Sequence, residues 1–271
     1  MHSRTARAAH LLASAAVAAV LGLSGAGCSN IASRDTTGSI NVASATPRND
    51  AEWRQSLDTW GARYRDNPAD ANAAIAYARA LRATGQRAQA VAVLEQATIR
   101  NPHSMPLLGA YGRALADAGQ YQKALDTLER AHTPDNPDWR ILNAQGAVLD
   151  QMGRHADAQR HYNTALKIVP DEPSVLSNLG LSYLLTKDLK SAEVTLRRAV
   201  AQPNAGPKVR QNLALVVGLR GRFAEAEKIA SADLPESEAA ANVSYLRQML
   251  AQQASGKKMG HTYVPAPDAG S

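Results

Sequence analysis

The side chains best suited to catalysis or metal binding are few and scattered in this sequence. The chain holds seven histidines and one cysteine among its 271 residues. His155 and His161 are six residues apart, so on one helix they would point in different directions and could not share a metal ion. There is no His-Glu-x-x-His run, Gly-x-Ser-x-Gly elbow, phosphate loop or dinucleotide fingerprint. We therefore predict no enzymatic activity, metal, cofactor or small-molecule substrate, and interpret both histidines as surface or inter-helix residues.

Composition argues against two further classes of protein. The formal net charge is +6, which is small for this length, and no basic stripe interleaved with aromatic residues is present, so nucleic-acid binding is not expected. A single cysteine excludes an internal disulfide framework and any zinc site built from clustered cysteines. The protein must therefore be stabilised by packing alone.

The elements that position the remaining polar and apolar side chains follow a repeat of about 34 residues. Small residues recur at this spacing in three columns, and Lys187 alone interrupts the glycine column. The columns are Ala90, Ala124, Ala158, Ala192 and Ala226; Ala97, Ala131, Ala165 and Ala199; and Gly85, Gly119, Gly153 and Gly221.

Each column has a physical reason in a pair of antiparallel helices. Small residues let the two helices approach closely, and a glycine between them accepts a left-handed backbone conformation, so Lys187 must form the same turn less comfortably. Pro102 and Pro170 stop the second helix of their pairs. The second and fourth pairs end less regularly, near Pro137 and Pro203. The pattern resembles the tetratricopeptide repeat, which has the same period.

This resemblance implies an all-α fold, a tetratricopeptide repeat solenoid of about five helix pairs. The pairs would occupy residues 71–104, 105–138, 139–172, 173–206 and 207–238. Asp50 to Asp66 has the spacing of the second helix of a repeat, and we expect this half-repeat to cap the N-terminal end. The helical run through Val243, Leu246 and Leu250 is expected to be a capping helix at the other end.

The N-terminal residues predict export and attachment to a membrane. Arg4 and Arg7 precede an apolar stretch that is too short to span a bilayer, which is typical of a secretory signal. Residues 23–28 resemble a bacterial lipoprotein cleavage box, with Gly25 where leucine is usual, and this resemblance implies lipidation of Cys28. The alternative is a soluble periplasmic protein with an incidental cysteine. Ser29 after the cysteine favours the outer membrane, by the same resemblance.

These predictions divide the chain into four parts. Residues 1–27 are a signal peptide, 28–49 a lipidated flexible tether, 50–253 the repeat domain and 254–271 a disordered tail. The tether and the tail are rich in small and polar residues and lack helical periodicity.

In tetratricopeptide proteins the first helix of each pair lines an inner groove, and the repeat frame predicts which side chains face it. A polar part would suit an acidic segment of a bound peptide and an apolar part a hydrophobic segment. Two alternatives stay open, in which the arginines are solvated surface and Leu184 and Leu219 belong to the core. The candidate peptide-binding residues are Asn72, Arg79, Arg82, Arg113, Arg140, Asn143, Leu181, Leu184, Leu185, Leu215 and Leu219, with Asp117 and Asp150 beside them.

A more specific resemblance comes from several stretches between Trp53 and Ala251, above all Ala241-Asn242-Val243-Ser244-Tyr245-Leu246-Arg247-Gln248-Met249-Leu250, which the repeat consensus does not explain. They are similar to the TadD-like tetratricopeptide lipoproteins of the tight-adherence (Tad or Flp) pilus system. The similarity implies a non-catalytic outer-membrane scaffold that faces the periplasm and helps the pilus secretin to assemble or localise. Its partners would be the secretin or associated assembly proteins. The alternatives are another repeat lipoprotein, such as a type IV pilotin or an adaptor for peptidoglycan enzymes, and an enzyme that uses the solenoid as a platform.

Overall fold

The computed structural model describes residues 50–259, with side chains over residues 50–253. Within this range the chain forms twelve α-helices and no strand, as predicted. Helix α1 (Asp50–Asp66) precedes five helix pairs, and α12 (Glu236–Met259) follows them. The pairs are α2 (Ala71–Ala83) with α3 (Arg87–Arg100), α4 (Met105–Asp117) with α5 (Tyr121–Glu129), α6 (Trp139–Gln151) with α7 (His155–Ile168), α8 (Pro173–Leu185) with α9 (Leu189–Val200), and α10 (Pro207–Leu219) with α11 (Phe223–Ala230).

Several predictions concern residues outside this range. Cys28, Gly25 and Ser29, the signal peptide 1–27, the tether 28–49 and residues 260–271 lie outside the described residues, so the roles assigned to them remain predictions. At the other boundary, α12 continues to Met259, beyond the predicted end of the repeat domain.

The first helices of the five pairs begin at the same position of each repeat, and several have a clear reason to begin there. An Asp70 side-chain oxygen accepts a hydrogen bond from the Asn72 backbone N–H at 2.8 Å, and Asp138 caps α6 in the same way. Such caps satisfy N–H groups that have no partner inside the helix. Pro173 and Pro207 begin α8 and α10, where a missing N–H costs nothing.

The turns within the pairs confirm the glycine column and explain its interruption. Gly85, Gly119, Gly153 and Gly221 all have positive φ angles, between 75° and 83°. Lys187 occupies the same turn in the fourth pair with φ of 65°. The turn is closed alike in both cases, because Gln86 N donates to Leu81 O at 2.8 Å and Asp188 N donates to Tyr183 O at 2.9 Å. Lys187 therefore adopts a left-handed backbone conformation, which is unfavourable for a residue that has a Cβ atom.

Small residues lie where the two helices of a pair cross, as predicted. A Cβ atom added to Gly112 would lie 2.5 Å from Leu128 Cγ, and one added to Gly180 would lie 2.6 Å from Leu196 Cγ. Both leucines are fully buried. The leucines fill the space that the glycines leave open, which is the close packing expected of a protein interior.

The two end helices have the structure expected of caps. Trp53 of α1 is buried, and α1 packs against α2. Leu246 of α12 is buried and lies so close to Gly218 that a Cβ atom there would come within 2.6 Å of Leu246 Cδ2. Arg247 and Gln248, on another side of α12, are exposed. One face of α12 thus covers the preceding pair, and the side that carries Arg247 and Gln248 is polar.

The chain divides within α7 into two compact units, which are described separately below. The N-terminal unit ends at His161 and the C-terminal unit begins at Tyr162. In the N-terminal unit α2 contacts α4 and α4 contacts α6, and in the C-terminal unit α8 contacts α10 and α10 contacts α12. In each unit these helices lie side by side and form one continuous surface. We call this surface the first-helix face of that unit.

Candidate functional site

On the first-helix face of the N-terminal unit, the predicted polar residues are held by contacts within the protein. Arg82 Nε lies 2.5 Å from Asp117 Oδ2, and this ion pair joins α2 to α4. The Arg79 guanidinium lies 5.6 Å from the centre of the Trp53 ring, and this is a cation–π contact. Asn72 is exposed at the start of α2. The arginines are therefore not simply solvated surface.

Two residues predicted for this face are buried instead. Asn143 is 0% exposed and Arg113 is 6% exposed, whereas Arg140, at the start of α6, is half-buried. Gly109, one turn earlier on α4, lies against α6: a Cβ atom there would come within 2.7 Å of Ile141 Cδ1, whereas the nearest Arg113 guanidinium nitrogen would be 3.7 Å away, which is an ordinary contact. The prediction that Asn143 and Arg113 line an open groove is therefore wrong, because both side chains are enclosed by the packing of the unit.

Both histidines that could have suggested chemistry form local hydrogen bonds. His155 Nδ1 lies 2.8 Å from Asp150 Oδ1, and His161 Nδ1 lies 2.9 Å from the Asp157 backbone oxygen. Asp150, predicted beside the groove, is thus bonded to the start of α7. Across residues 50–259, no group of three or more His, Cys, Asp or Glu side chains is placed to hold a metal ion.

The first-helix face of the C-terminal unit is apolar. Leu181, Leu185, Leu215 and Leu219 are half-buried on α8 and α10, and all of them except Leu185 rest on a core that contains Leu184. Leu184 itself is only 5% exposed, and its core also holds the buried leucines and valines of α9 and α10. The alternative interpretation is therefore correct for Leu184, which is a core residue and not a groove residue.

Helix α12 adds two residues that the sequence analysis missed. The repeat frame continues from Pro207 to Ala241, inside α12, so Tyr245 and Met249 fall at positions that face the first-helix side. Tyr245 is 48% exposed. Extending the frame by one more unit would have identified both residues. We call the set Leu181, Leu185, Leu215, Leu219, Tyr245 and Met249 the apolar stripe.

The repeat fold does not require apolar side chains at the positions of the stripe. Leu181 and Leu215 occupy the same repeat position as Arg79 and Arg113, and Leu219 occupies the same position as Asp117. The N-terminal unit is built on the same helix pairs with charged residues at these places. The exposed apolar area of the stripe is therefore an independent feature, and features of this kind mark surfaces that bind other proteins.

The charge at the stripe is sparse and positive. Among the positions of α8, α10 and α12 that face the first-helix side, Lys208 is the only residue in the described range with a formal charge at pH 7. The principal charged cluster of the unit lies elsewhere, on the second helix α9. There the Glu193 carboxylate, 5% exposed, pairs with Arg197, Arg220 and Arg222.

Burial by itself would raise the pKa of Glu193. Hydrogen bonds from Arg222, Arg197 and Arg220 outweigh that effect, and the pKa falls to about 2. Because Arg220 and Arg222 flank the turn between α10 and α11, the cluster connects α9 to the next helix pair. The stripe helices α8 and α10 belong to the two pairs that it joins.

Comparison with known proteins agrees with this geometry. Residues 143–207 match a family model described as a tetratricopeptide repeat, and residues 59–131 match one described as anaphase-promoting complex, cyclosome, subunit 3. The fold is that of a tetratricopeptide repeat solenoid. Tetratricopeptide repeats form protein-interaction scaffolds and are generally non-catalytic. No curated protein matches the chain.

Three solved structures illustrate the similarity of this repeat fold. The type IV pilus biogenesis factor PilW has a TM-score of 0.61 and 17% identity, over 71% of this chain and 91% of its own. TTC0263, a tetratricopeptide protein of Thermus thermophilus, has a TM-score of 0.57 and 20% identity, over 66% and 99%. PilF of Pseudomonas aeruginosa has a TM-score of 0.53 and 16% identity, over 66% and 82%. At these identities the likeness concerns the fold alone.

Over residues 50–259, no helix combines the length and the apolar character that crossing a bilayer would need.

Proposed function

We propose that this protein is a non-catalytic scaffold of the Tad or Flp pilus system and that it binds an assembly partner, the secretin or a protein associated with it, through the apolar stripe. The observation that carries the proposal is the exposed apolar area on α8, α10 and α12, at positions where the repeat tolerates charge. A partly exposed apolar surface at positions where the repeat accepts charged residues is best explained by a partner that covers it.

The pilus assignment is supported by the sequence of α12. The run from Ala241 to Leu250, which carries the resemblance to TadD-like lipoproteins, supplies Val243 and Leu246 to the packing and Tyr245 and Met249 to the stripe. The residues that set this chain apart from the repeat consensus are thus partly those that form its candidate binding surface. PilW, which shares the fold, is described as a type IV pilus biogenesis factor, although this likeness bears on the fold alone.

The proposal includes attachment to the outer membrane through a lipid on Cys28, with the repeats facing the periplasm. The sequence of the signal and cleavage region supports this part. Labelling of cells with a radioactive fatty acid should mark the wild-type protein and should leave Cys28→Ser unlabelled. Equal labelling of the two proteins would contradict lipidation at Cys28.

The partner can be identified by crosslinking in intact cells, followed by recovery of the tagged protein from detergent-solubilised membranes. We expect the pilus secretin or a pilus assembly protein in the recovered material. Tyr245→Ser should lower its recovery about tenfold, because truncating an aromatic anchor commonly costs more than about 1 kcal/mol of binding energy. Leu181→Ser with Leu185→Ser should have at least the same effect.

The matched control is Val194→Ser on α9. Val194 is an exposed apolar residue, 63% exposed, and it is not part of the stripe. Its substitution should leave recovery unchanged, and circular dichroism should show the same helix content in all variants. Recovery of peptidoglycan enzymes in place of pilus proteins would keep the scaffold and refute the pilus assignment. Equal losses for Tyr245→Ser and Val194→Ser would refute the stripe as the binding surface.

A further inference from the structure

One second helix of the N-terminal unit ends early. Helix α5 has 9 residues, whereas α3 and α7 have 14 each; in the C-terminal unit α9 has 12 and α11 has 8. The chain from Arg130 to Asp138 forms a loop in place of the missing turns, and an isolated bridge between Thr133 and Asn136 closes it. Consequently the loop, and not a helix, borders the beginnings of α4 and α6.

A cleft of about 320 Å³ lies between this loop and the two helices. Met105 and Pro106 line it from the start of α4, and Trp139 and Arg140 line it from the start of α6. Met105 is 41% exposed, which is unusual for a large apolar side chain. The walls combine apolar and polar side chains and are open to solvent, and the volume is within the range of natural binding pockets.

Arg140 gives the cleft a positive group that is already held in place. Its guanidinium lies 4.5 Å from the centre of the Trp139 ring. Among the described residues its side chain forms no ion pair, in contrast to Arg82, which pairs with Asp117. A guanidinium stacked on an indole ring keeps its N–H groups available at the edge and loses little freedom when it binds a carboxylate.

The other ionisable groups of the cleft do not compete for this role. Asp138 Oδ1 accepts the Arg140 backbone N–H at 2.7 Å, and it caps α6, so its charge faces the positive end of the helix. Burial lowers the pKa of His132, which leaves the imidazole uncharged at neutral pH. A ligand carboxylate would thus meet Arg140 as the cationic side chain of the cleft.

We propose that this cleft is a second binding site for the protein partner and that it receives an acidic side chain with a large apolar side chain next to it. The carboxylate pairs with Arg140, and the apolar side chain lies against Met105 and Pro106. This inference rests on the proposed scaffold function and specifies the chemistry of the partner segment. The ligand is an internal acidic and apolar segment of a polypeptide.

The methionines make the cleft and the stripe separately observable. The chain has five methionines, and Met105 lines the cleft whereas Met249 belongs to the stripe. The full chain, in detergent micelles and labelled with ¹³C at the methionine methyl groups, should be titrated with the peptide acetyl-Leu-Glu-Phe-amide. The neutral counterpart acetyl-Leu-Gln-Phe-amide has the same shape without the charge.

We expect the Glu peptide to shift the Met105 signal and to bind about tenfold more tightly than the Gln peptide, as is typical when a charged hydrogen-bond partner is removed. Arg140→Gln should abolish this preference. Arg130→Gln is the matched control, because Arg130 is an exposed arginine of the same loop that does not line the cleft. An unchanged Met152 signal in both variants would show that the N-terminal unit, which contains the cleft, keeps its fold.

Equal affinity for the two peptides, or an unchanged preference in Arg140→Gln, would overturn the cleft proposal. A shift of Met249 without a shift of Met105 would also overturn it and would leave the stripe, and with it the proposed function, intact. If neither signal moves, the cleft proposal fails, and the pull-down with Tyr245→Ser still tests the stripe independently.

Discussion

Substitution of Glu193 by glutamine should destabilise the C-terminal unit, because it removes the negative charge that three arginines share. A pKa that falls from 4.5 to about 2 corresponds to about 3 kcal/mol of preference for the ionised carboxylate. The arginine side chains are 38%, 39% and 45% exposed, so water screens part of this attraction. We therefore expect Glu193→Gln to lower the free energy of unfolding by about 1–3 kcal/mol at pH 7.

The effect should depend on pH in a defined direction. The pKa of Glu193 is lower in the folded protein than in the unfolded chain, so the unfolded chain takes up the proton first as the pH falls. The contribution of Glu193 to stability is thus complete above about pH 4.5 and disappears as the pH approaches 2. The difference between the wild type and Glu193→Gln should shrink over this interval.

The assay must report on the C-terminal unit. All three tryptophans, Trp53, Trp60 and Trp139, are in the N-terminal unit, so tryptophan fluorescence would miss the effect. Hydrogen exchange of backbone amides in α9, α10 and α11 measures local opening directly. Loss of protection in these helices at pH 7 is the expected result.

The control variant is Glu227→Gln. Glu227 occupies the same repeat position one unit later, and its side chain forms no ion pair in the described part of the chain. Its substitution should change stability by less than about 0.5 kcal/mol. If Glu193→Gln behaves like Glu227→Gln, or if its effect at pH 2.5 is as large as at pH 7, the carboxylate is not the stabilising group and the reasoning is refuted.

Two further substitutions, one of them with a control, test the repeat geometry. Lys187→Gly should stabilise the protein by about 0.5–1 kcal/mol in chemical denaturation. Glycine removes the strain of a positive φ angle, and this gain is partly offset because glycine also gives the unfolded chain more freedom. The control is Lys190→Gly within α9, which should destabilise the protein by a similar amount. Gly180→Ala should cost about 1–3 kcal/mol because its Cβ atom would overlap Leu196. An increase in melting temperature for Gly180→Ala would show that the helix crossing has room after all.

The fold could be predicted from the sequence because each helix pair packs only against its neighbours. A side chain such as Ala124 or Leu128 has the same surroundings as its equivalents in the other repeats. Once the repeat period is recognised, the contacts at each such position can therefore be predicted in every repeat. The repeat frame predicted that Lys187 must form the glycine turn, and the positive φ angle there confirms it. Interactions that are local and recur in every repeat therefore determine most of the fold.

The candidate site was less predictable, because the frame gives the direction of a side chain but not what covers it. Leu184 and Asn143 point toward the first-helix side in the frame and are nevertheless buried. Their depth depends on the size of side chains on neighbouring helices, which differs from one repeat to the next. Gly109 is an example, since its missing side chain lets Ile141 of α6 pack closely against α4.

The cleft could not be predicted because it depends on a segment that leaves the frame. The sequence indicated only that the second repeat ends irregularly near Pro137. How the loop from Arg130 to Asp138 closes depends on contacts such as the bridge between Thr133 and Asn136, which no column of the repeat contains.

The Glu193 cluster indicates which departures from the repeat serve purposes beyond folding. Val91 and Leu125 occupy the same repeat position in the N-terminal unit and are buried there without any charge. An apolar residue is thus sufficient for packing, and a buried carboxylate at this place requires three arginines to compensate it. Packing alone gives no reason for this arrangement. Unlike an apolar contact, a cluster of hydrogen-bonded charges holds its helices in one defined arrangement. The Glu193 cluster joins the two helix pairs that carry the leucines of the apolar stripe.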